Sequence, residues 1–425
     1  MARMKIIIVG TGNRGLGCFA KGLMGFPGKG LPEFPTRAEI AAFVDTNLTR
    51  AKASAKEANL PELPVFRDVA EAQSRVKADW AIVTTPDFTH REGVIRALDA
   101  GLNVLVDKPL ATSAWECDLI LAAMKRAGRQ VRVGHNMRYH AETLRCAKLV
   151  REGAIGEVLH VEAAEVLDYG HGGDYFHRWH SDFSRSAGLM NHKACHHMDF
   201  LLWVLDDAPV EASARGGRCF YRERKDLAHG SRCSGCGIAK TCPHYFNIDK
   251  WDGVYRRIYK EAEGEDGYVR DACVFSERHT INDHEAVILR TRKGALVSFN
   301  LLTFSPREFS YFYFTGTKGR LEYGTNTPDG SSYLRLIPAD GKVADLLTKG
   351  HETGHTEDTG HGGSDCLLIA DLLGLPGADP LMRAAPEEAR RAVLVADLAS
   401  RSIAAGGRVV KAEEAGKDFP PAPPR

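Results

Sequence analysis

Lys5-Ile6-Ile7-Ile8-Val9-Gly10-Thr11-Gly12-Asn13-Arg14-Gly15 is the stretch that decides the fold. The apolar run Ile6 to Val9 reads as a buried strand, and residues 16–24 read as a helix. Between them lies G-x-G-x-x-G. Gly10 permits the tight turn, Gly12 lets the backbone approach a pyrophosphate, and Gly15 lets helix pack close to strand. The helix N-terminus adds free N–H groups and the positive end of a dipole. In a chain with 42 glycines the motif alone is weak, and an ordinary turn stays open. The strand-first context carries the dinucleotide-binding reading.

The same rhythm continues outward. Apolar runs at 39–45, 80–85, 103–109 and 130–135 alternate with amphipathic segments at 49–58, 90–101 and 114–128. This predicts a doubly wound parallel sheet over 1–135. The first connection, 25–39, is long and rich in Gly and Pro, and reads as a loop insertion. Past residue 140 the pattern changes. A helix at 140–152 precedes a long strand at 158–167, and hairpin-like strands follow at 285–304, 309–324 and 332–339. The expected fold class is therefore α/β: a Rossmann parallel sheet, then an α+β domain over 136–425 with a large, mostly antiparallel open sheet. A last helix, 385–405, is expected to pack back on the first domain, and 218–280 reads as a cysteine-containing insertion.

Lys plus Arg number 56 and Asp plus Glu 55, which leaves no electrostatic footprint for nucleic acid or an anionic membrane. No apolar run approaches the ~20 residues needed to span a bilayer. The N-terminus enters a strand directly, so no secretory signal is expected, and ten scattered cysteines fit reduced thiols or metal ligands in the cytoplasm.

Ligands of open parallel sheets bind at the carboxyl ends of strands. Asp45 stands at one such end, where a carboxylate accepts ribose hydroxyls and repels a 2′-phosphate, favouring NAD over NADP; a helix-capping or turn-holding role is the alternative. Thr84-Thr85-Pro86 ends the next strand, with His90 beyond it. Asp107-Lys108-Pro109 ends another and aims Lys108 at the crevice. In this order and spacing the motifs resemble the glucose–fructose oxidoreductase/inositol dehydrogenase/MocA superfamily, with Asp107 in place of its usual Glu. The resemblance implies an NAD site made of Gly10, Thr11, Gly12, Asn13, Arg14, Gly15, Asp45, Thr85, Pro86, His90, Asp107, Lys108 and Asn136. It also implies a hinge at 134–139, where Asn136, Arg138 and Tyr139 could hold substrate oxygens; for Arg138 an interdomain salt bridge is the alternative. A homo-oligomer formed through the outer sheet face is a further implication.

Asn191-His192-Lys193-Ala194-Cys195-His196-His197-Met198-Asp199 is the strongest chemical cluster. On a helix, His192, His196 and Asp199 share one face. In the superfamily this helix commonly carries Asp, then His four later, then Asp three later, so His192 stands where a catalytic carboxylate is usual. Lys108, His196 and His192 are the expected acid–base groups. Lys193 and His197 join Tyr175, His177, Arg178 and Trp179, from a Gly-rich aromatic loop at 169–180, as expected substrate ligands. A second histidine-rich stretch, 351–361, is expected to close the pocket.

Cys233, Cys236, Cys242 and Cys273 make C-x2-C-x5-C-x30-C and read as a structural zinc site, with Cys219 and His244 as spare ligands. Free thiols, an iron–sulfur cluster and disulfides stay open.

Two activities follow. One is NAD-dependent hydride transfer from a hydroxyl-bearing carbon of a sugar, sugar derivative or cyclitol. The other is an NAD-dependent glycosidase working by transient oxidation, elimination, water addition and re-reduction. Loss of Lys108 or His196 would have pointed to a non-catalytic nucleotide sensor; both are present.

Overall fold

A computed structural model describes residues 3–26, 33–250, 252–326, 331–347 and 361–423. Six parallel strands, β1 (Met4–Val9), β2 (Ala38–Val44), β3 (Val65–Phe66), β4 (Trp80–Val83), β5 (Asn103–Asp107) and β6 (Val131–Gly134), are ordered β3-β2-β1-β4-β5-β6. Ile6 and Ile8 pack on one face with Phe19 and Ile82, while Ile7 and Val9 pack on the other with Ala81 and Val83. Burial on both faces explains the unbroken apolar run. Strand order reverses between β1 and β4, so a crevice opens beyond Val9 and Val83.

The turn at the mouth of that crevice tolerates only glycine. Gly10 has φ +92°, and a Cβ there would lie 2.7 Å from the Thr85 amide nitrogen. A Cβ on Gly15 would lie 2.1 Å from the Gly10 carbonyl oxygen. The following helix opens as a wide π-turn, Arg14–Ala20.

The second sheet holds nine strands. They are β7 (Val158–Asp168), β8 (Pro209–Gly217), β9 (His284–Thr291), β10 (Leu296–Ser305), β11 (Phe309–Gly316), β12 (Gly319–Thr325), β13 (Tyr333–Pro338), β14 (Ala344–Asp345) and β15 (Val410–Lys411), ordered β14-β13-β12-β11-β7-β10-β9-β8-β15. Only β7 and β10 pair in parallel. Alternate residues such as Val297, Phe299, Leu301, Phe312 and Phe314 face the helices Ala141–Arg151, Cys195–Leu205 and Pro386–Ala404. The last helix touches both β8 and the helix Ala114–Ala127 of the first sheet, as expected. A second C-terminal helix, Ser364–Leu372, also returns, seating Ile369 beside Phe19 in the core under β1.

Three local expectations change. Residues 169–176 form a helix instead of a loop, capped by Asp168, which accepts the His171 N–H at 2.7 Å. Its glycines serve close packing: a Cβ on Gly172 would lie 1.9 Å from the Thr303 carbonyl oxygen. The helix expected through 192–199 is two, Gly188–His192 and Cys195–Leu205; His192 and His196 both line the cleft, while Asp199 turns to Arg138. Within the described residues of the first connection, Glu33–Arg37 is a helical turn.

The zinc expectation gains no support. Among the described residues, one group of three or more ligand atoms lies within 4.8 Å of one another, and it is Cys219, Asp283 and His284. Four thiolates on zinc sit ~3.8 Å apart, as tetrahedral 2.3 Å bonds require. Cys233, Cys236, Cys242 and Cys273 are free thiols, two buried and two partly exposed. Asp283 in the other group already accepts the N–H groups of Phe220 and Tyr221, which makes it a turn-holding carboxylate. The insertion is pinned instead by apolar packing and ion pairs. Phe246, Ile248, Tyr255, Ile258 and Tyr259 share a core with Ile6 and Phe19. Arg257 pairs with Glu57, Arg50 with Asp266 at 2.6 Å, and Arg67 with Glu265 at 2.6 Å.

Arg138 fastens the two sheets. It is 1% exposed and grips Asp199 with two 2.7 Å hydrogen bonds, while Nη1 reaches Glu388 at 2.9 Å. Its guanidinium lies over Trp203, 5.1 Å from the ring centroid. Removing one partner strands a buried charge, so Arg138→Ala is expected to lower unfolding free energy by about 3–5 kcal/mol. A denaturant midpoint equal to that of the unsubstituted protein would contradict this role.

Candidate active site

A cleft of about 840 Å³ runs along the carboxyl ends of the parallel strands. One end is lined by Gly10, Gly12, Asn13, Arg14, Asp45, Thr85 and Pro86, while Thr11 and Gly15 do not line it. Asp45 is no helix cap, since Asn47 fills that position. Its Oδ2 accepts the Thr11 N–H at 2.9 Å and the Thr11 hydroxyl at 2.8 Å, and Oδ1 accepts the Asn47 N–H at 2.9 Å. Asp45 thus braces the glycine turn and the start of the next helix, as in its turn-holding alternative. Arg14 is spanned between Asp107 at 3.1 Å and Asp365 at 2.8 Å. Asn136 donates to Asp365 at 2.8 Å. Burial alone would raise Asp365, yet Arg14 and His361 hold it well below the usual carboxylate range.

The centre of the cleft gathers Lys108 and several histidines. Lys108 Nζ donates to the His192 carbonyl at 2.9 Å. His192 Nδ1 lies 2.7 Å from Asp87 Oδ2, which leaves Nε2 as the nitrogen available to the cleft. Burial pushes the Asp87 carboxyl up while Lys108 opposes it; in its ionised form Asp87 on Nδ1 selects the tautomer that leaves Nε2 free to accept a proton. The carboxylate missing at position 192 is thereby supplied from the other sheet. Burial, with Lys108 adding to it, pushes His192 well below its ordinary pKa, so the imidazole is neutral and able to accept a proton. Trp179 stacks on His180 at 3.7 Å, and His180 meets His192 edge-on at 4.0 Å. His196 lines the cleft with Nδ1 unpartnered and its ring edge toward His135. Burial and then Lys108 depress it too.

Paired charges surround the substrate end. Lys193 Nζ lies 2.9 Å and His197 Nε2 3.1 Å from Glu165. Burial opposes ionisation of Glu165, but these two neighbours overcome it and hold the carboxyl far below its usual range. His171 bridges Glu308 at 2.8 Å and the Tyr175 hydroxyl at 3.0 Å. Arg178 is held by Asp174 at 2.7 Å.

Four expected site residues serve structure instead. Arg138 is the sheet fastener. Tyr139 donates to Asp371 at 3.0 Å, away from the cleft. His177 lies between the carbonyls of Ala272 and His244, where burial lowers it to about 4; it ties down the insertion. His90 lines the cleft, but both ring nitrogens face backbone carbonyls, of Pro109 at 2.7 Å and Thr85 at 2.8 Å. Asp199 is likewise withdrawn to Arg138. His361 lines the cleft and contacts Asp365 at 2.8 Å, while 351–360 lie outside the described residues. Sequence reasoning missed Asp87, Glu165, Glu308, Asp365 and His180. Asp87 alone carried a signal, as it directly follows Pro86 at a strand's carboxyl end.

Two family models match: the oxidoreductase family with an NAD-binding Rossmann fold over residues 4–135, and the GFO/IDH/MocA C-terminal domain over 143–322. YteT, an oxidoreductase of Bacillus subtilis (strain 168), is 29% identical over 400 residues, covering 89% of this chain and 90% of that one. The inositol 2-dehydrogenase of Gluconacetobacter diazotrophicus is 31% identical over 191 residues, 45% of this chain and 52% of its own. A glycosyl hydrolase family 109 protein of Shewanella putrefaciens is 31% identical over 135 residues, 30% and 29% of the two chains. The crystal structure of an oxidoreductase domain protein from Kribbella flavida superposes with TM-score 0.69 at 18% identity, covering 97% and 99%. Glycine turn, cleft and both sheets therefore have one explanation: the chain belongs to the Gfo/Idh/MocA oxidoreductase family, with its NAD-binding Rossmann fold.

Proposed function

We propose that this enzyme oxidises a secondary hydroxyl of a neutral sugar, sugar derivative or cyclitol. The observation that carries the reading is the Asp87–His192 pair beside Lys108, at the meeting point of the nucleotide and substrate ends. NAD, when bound in the cradle of Gly10, Gly12 and Asn13, supplies the hydride acceptor. His192 Nε2 takes the hydroxyl proton, and the Lys108 ammonium stabilises the developing alkoxide. Lys193 and Arg178 are each neutralised by a carboxylate, so their arrangement favours hydroxyl groups over an acidic substituent. Tyr175 and Trp179 offer faces for C–H surfaces.

One observation favours the second reading, an NAD-dependent glycosidase. His180, buried, and His196, half-buried, add two imidazoles held low to the cleft, more proton carriers than a single oxidation needs. Incubation with NAD and a panel of free sugars, cyclitols and glycosides separates the two. Accumulating NADH with a product two hydrogens lighter is expected; glycoside cleavage that needs NAD but builds up no NADH would replace the first reading with the second.

The depressed His192 sets the sign of the pH dependence. A base acts when unprotonated, so activity is lost as pH falls through its pKa. The acid limb of kcat/KM is expected below the ~6.5 of free imidazole. Asp87→Asn, which removes the tautomer lock, is expected to cut kcat about 100-fold or more with little change in KM. An unaltered kcat would eliminate the pair as the base.

We also place the enzyme in the cytoplasm as a homo-oligomer. All ten cysteines are free, and no described helix is long and apolar enough to cross a membrane. Leu159, Ile288 and Leu296 lie exposed on the second sheet and give copies of the chain an apolar contact. Light scattering is expected to report a dimer or larger; a monomer at micromolar concentration would refute it.

A further inference from the structure

The insertion at 218–280 reaches across to the glycine turn and sets one tyrosine on it. Tyr259, on the π-turn Arg256–Lys260, places its hydroxyl oxygen 2.7 Å from the Asn13 nitrogen and accepts that N–H. The same oxygen would be 3.1 Å from a Cβ on Gly12, so glycine at position 12 leaves just enough room for it. Tyr259 lines the cleft, as do Asp266 and Tyr268 from the same segment. Having accepted from Asn13, the phenol still has its own proton to give, and among the described residues no acceptor is recorded for it. The nearest place for an anion is the cradle itself.

The tyrosine is not free to swing away. Glu265 accepts the N–H groups of Leu48 and Thr49 at 2.9 Å each, holding the segment to the N-terminus of the neighbouring Rossmann helix. Asn47 donates to the Ala262 carbonyl at 2.9 Å and Arg50 to the Ile258 carbonyl at 3.2 Å. The Arg50 guanidinium also lies 5.8 Å from the Tyr259 ring centroid. These contacts straddle Tyr259 in sequence and tie it to residues 47–50, just past the end of β2.

We propose that Tyr259 is a ligand of the NAD pyrophosphate, donating its phenolic proton to a phosphate oxygen while accepting from Asn13. The insertion is then a fixed outer wall of the nucleotide site, and it slows release of the cofactor. This rests on NAD as the cofactor.

The test compares the full-length protein with Tyr259→Phe, which keeps the ring and removes only the hydroxyl. NADH fluorescence titration gives Kd, and displacement of NADH by excess NAD in a stopped flow gives the dissociation rate. A hydrogen bond to a charged group is worth about tenfold or more, so Kd and dissociation rate are each expected to rise by roughly that factor. ADP-ribose, which has the pyrophosphate, should weaken in parallel, and adenosine, which lacks it, should bind unchanged. Unaltered NADH binding overturns the proposal. Tighter binding also overturns it, since the hydroxyl would then be a competitor for the Asn13 amide. If adenosine and ADP-ribose weaken alike, the hydroxyl supports the fold and the proposal again fails. An unsubstituted protein that binds no NADH would instead refute the cofactor assignment itself.

Discussion

Arg138 and the carboxylates around it are the constraint on which the rest depends. The cleft is assembled from two sheets, so its geometry is only as fixed as the joint between them, which the last helix packs across and Arg138 pins. A bidentate grip on Asp199, extended to Glu388 on the last helix, locks three chain segments with one side chain. The planar fork of a guanidinium meets that demand where an ammonium would not. Because Arg138 and Asp199 are both buried, partial opening of the joint leaves two ions without solvent or partner, which makes intermediate angles between the sheets costly.

Inside the cleft, charge and neutrality are segregated. Carboxylates and cations are paired along the walls, as in Arg14 with Asp107 and Asp365, Lys193 with Glu165, and Arg178 with Asp174. The groups at the centre are imidazoles that burial keeps uncharged. Such a lining meets a polyol with many orientable donors and acceptors and little net field. Lys108 is the exception, and its charge both depresses the neighbouring histidines and stands ready for an alkoxide.

Much of this was legible in the chain. The glycine turn, the parallel sheet and the return of the last helix follow from periodicity and from where only glycine fits, which are local properties. Lys108, His192 and His196 were found because they sit at strand ends or in a dense cluster. The failures share a cause. Tyr139 and His177 are polar residues near the site in sequence, but each found a partner more than 60 residues away, and spacing cannot reveal such partners; for Arg138 the interdomain salt bridge, weighed as its alternative, is the one formed. The unexpected carboxylates, Asp87 and Glu165, gain meaning only from the neighbours that tertiary contact brings. The cysteine pattern matched a metal motif in spacing, while the insertion drew its stability from aromatic packing against β1.

The hydrogen bonds of His192 have one more consequence. Both of its recorded polar contacts across the cleft, Asp87 on the ring and Lys108 on the carbonyl, come from the nucleotide half, although His192 itself belongs to the other. Its basicity is thus a property of the assembled interface and of neither half alone. With His192 in the proposed role of base, any rotation that parts the sheets disarms it at the moment the cleft opens to solvent, a built-in safety catch against chemistry in an open site.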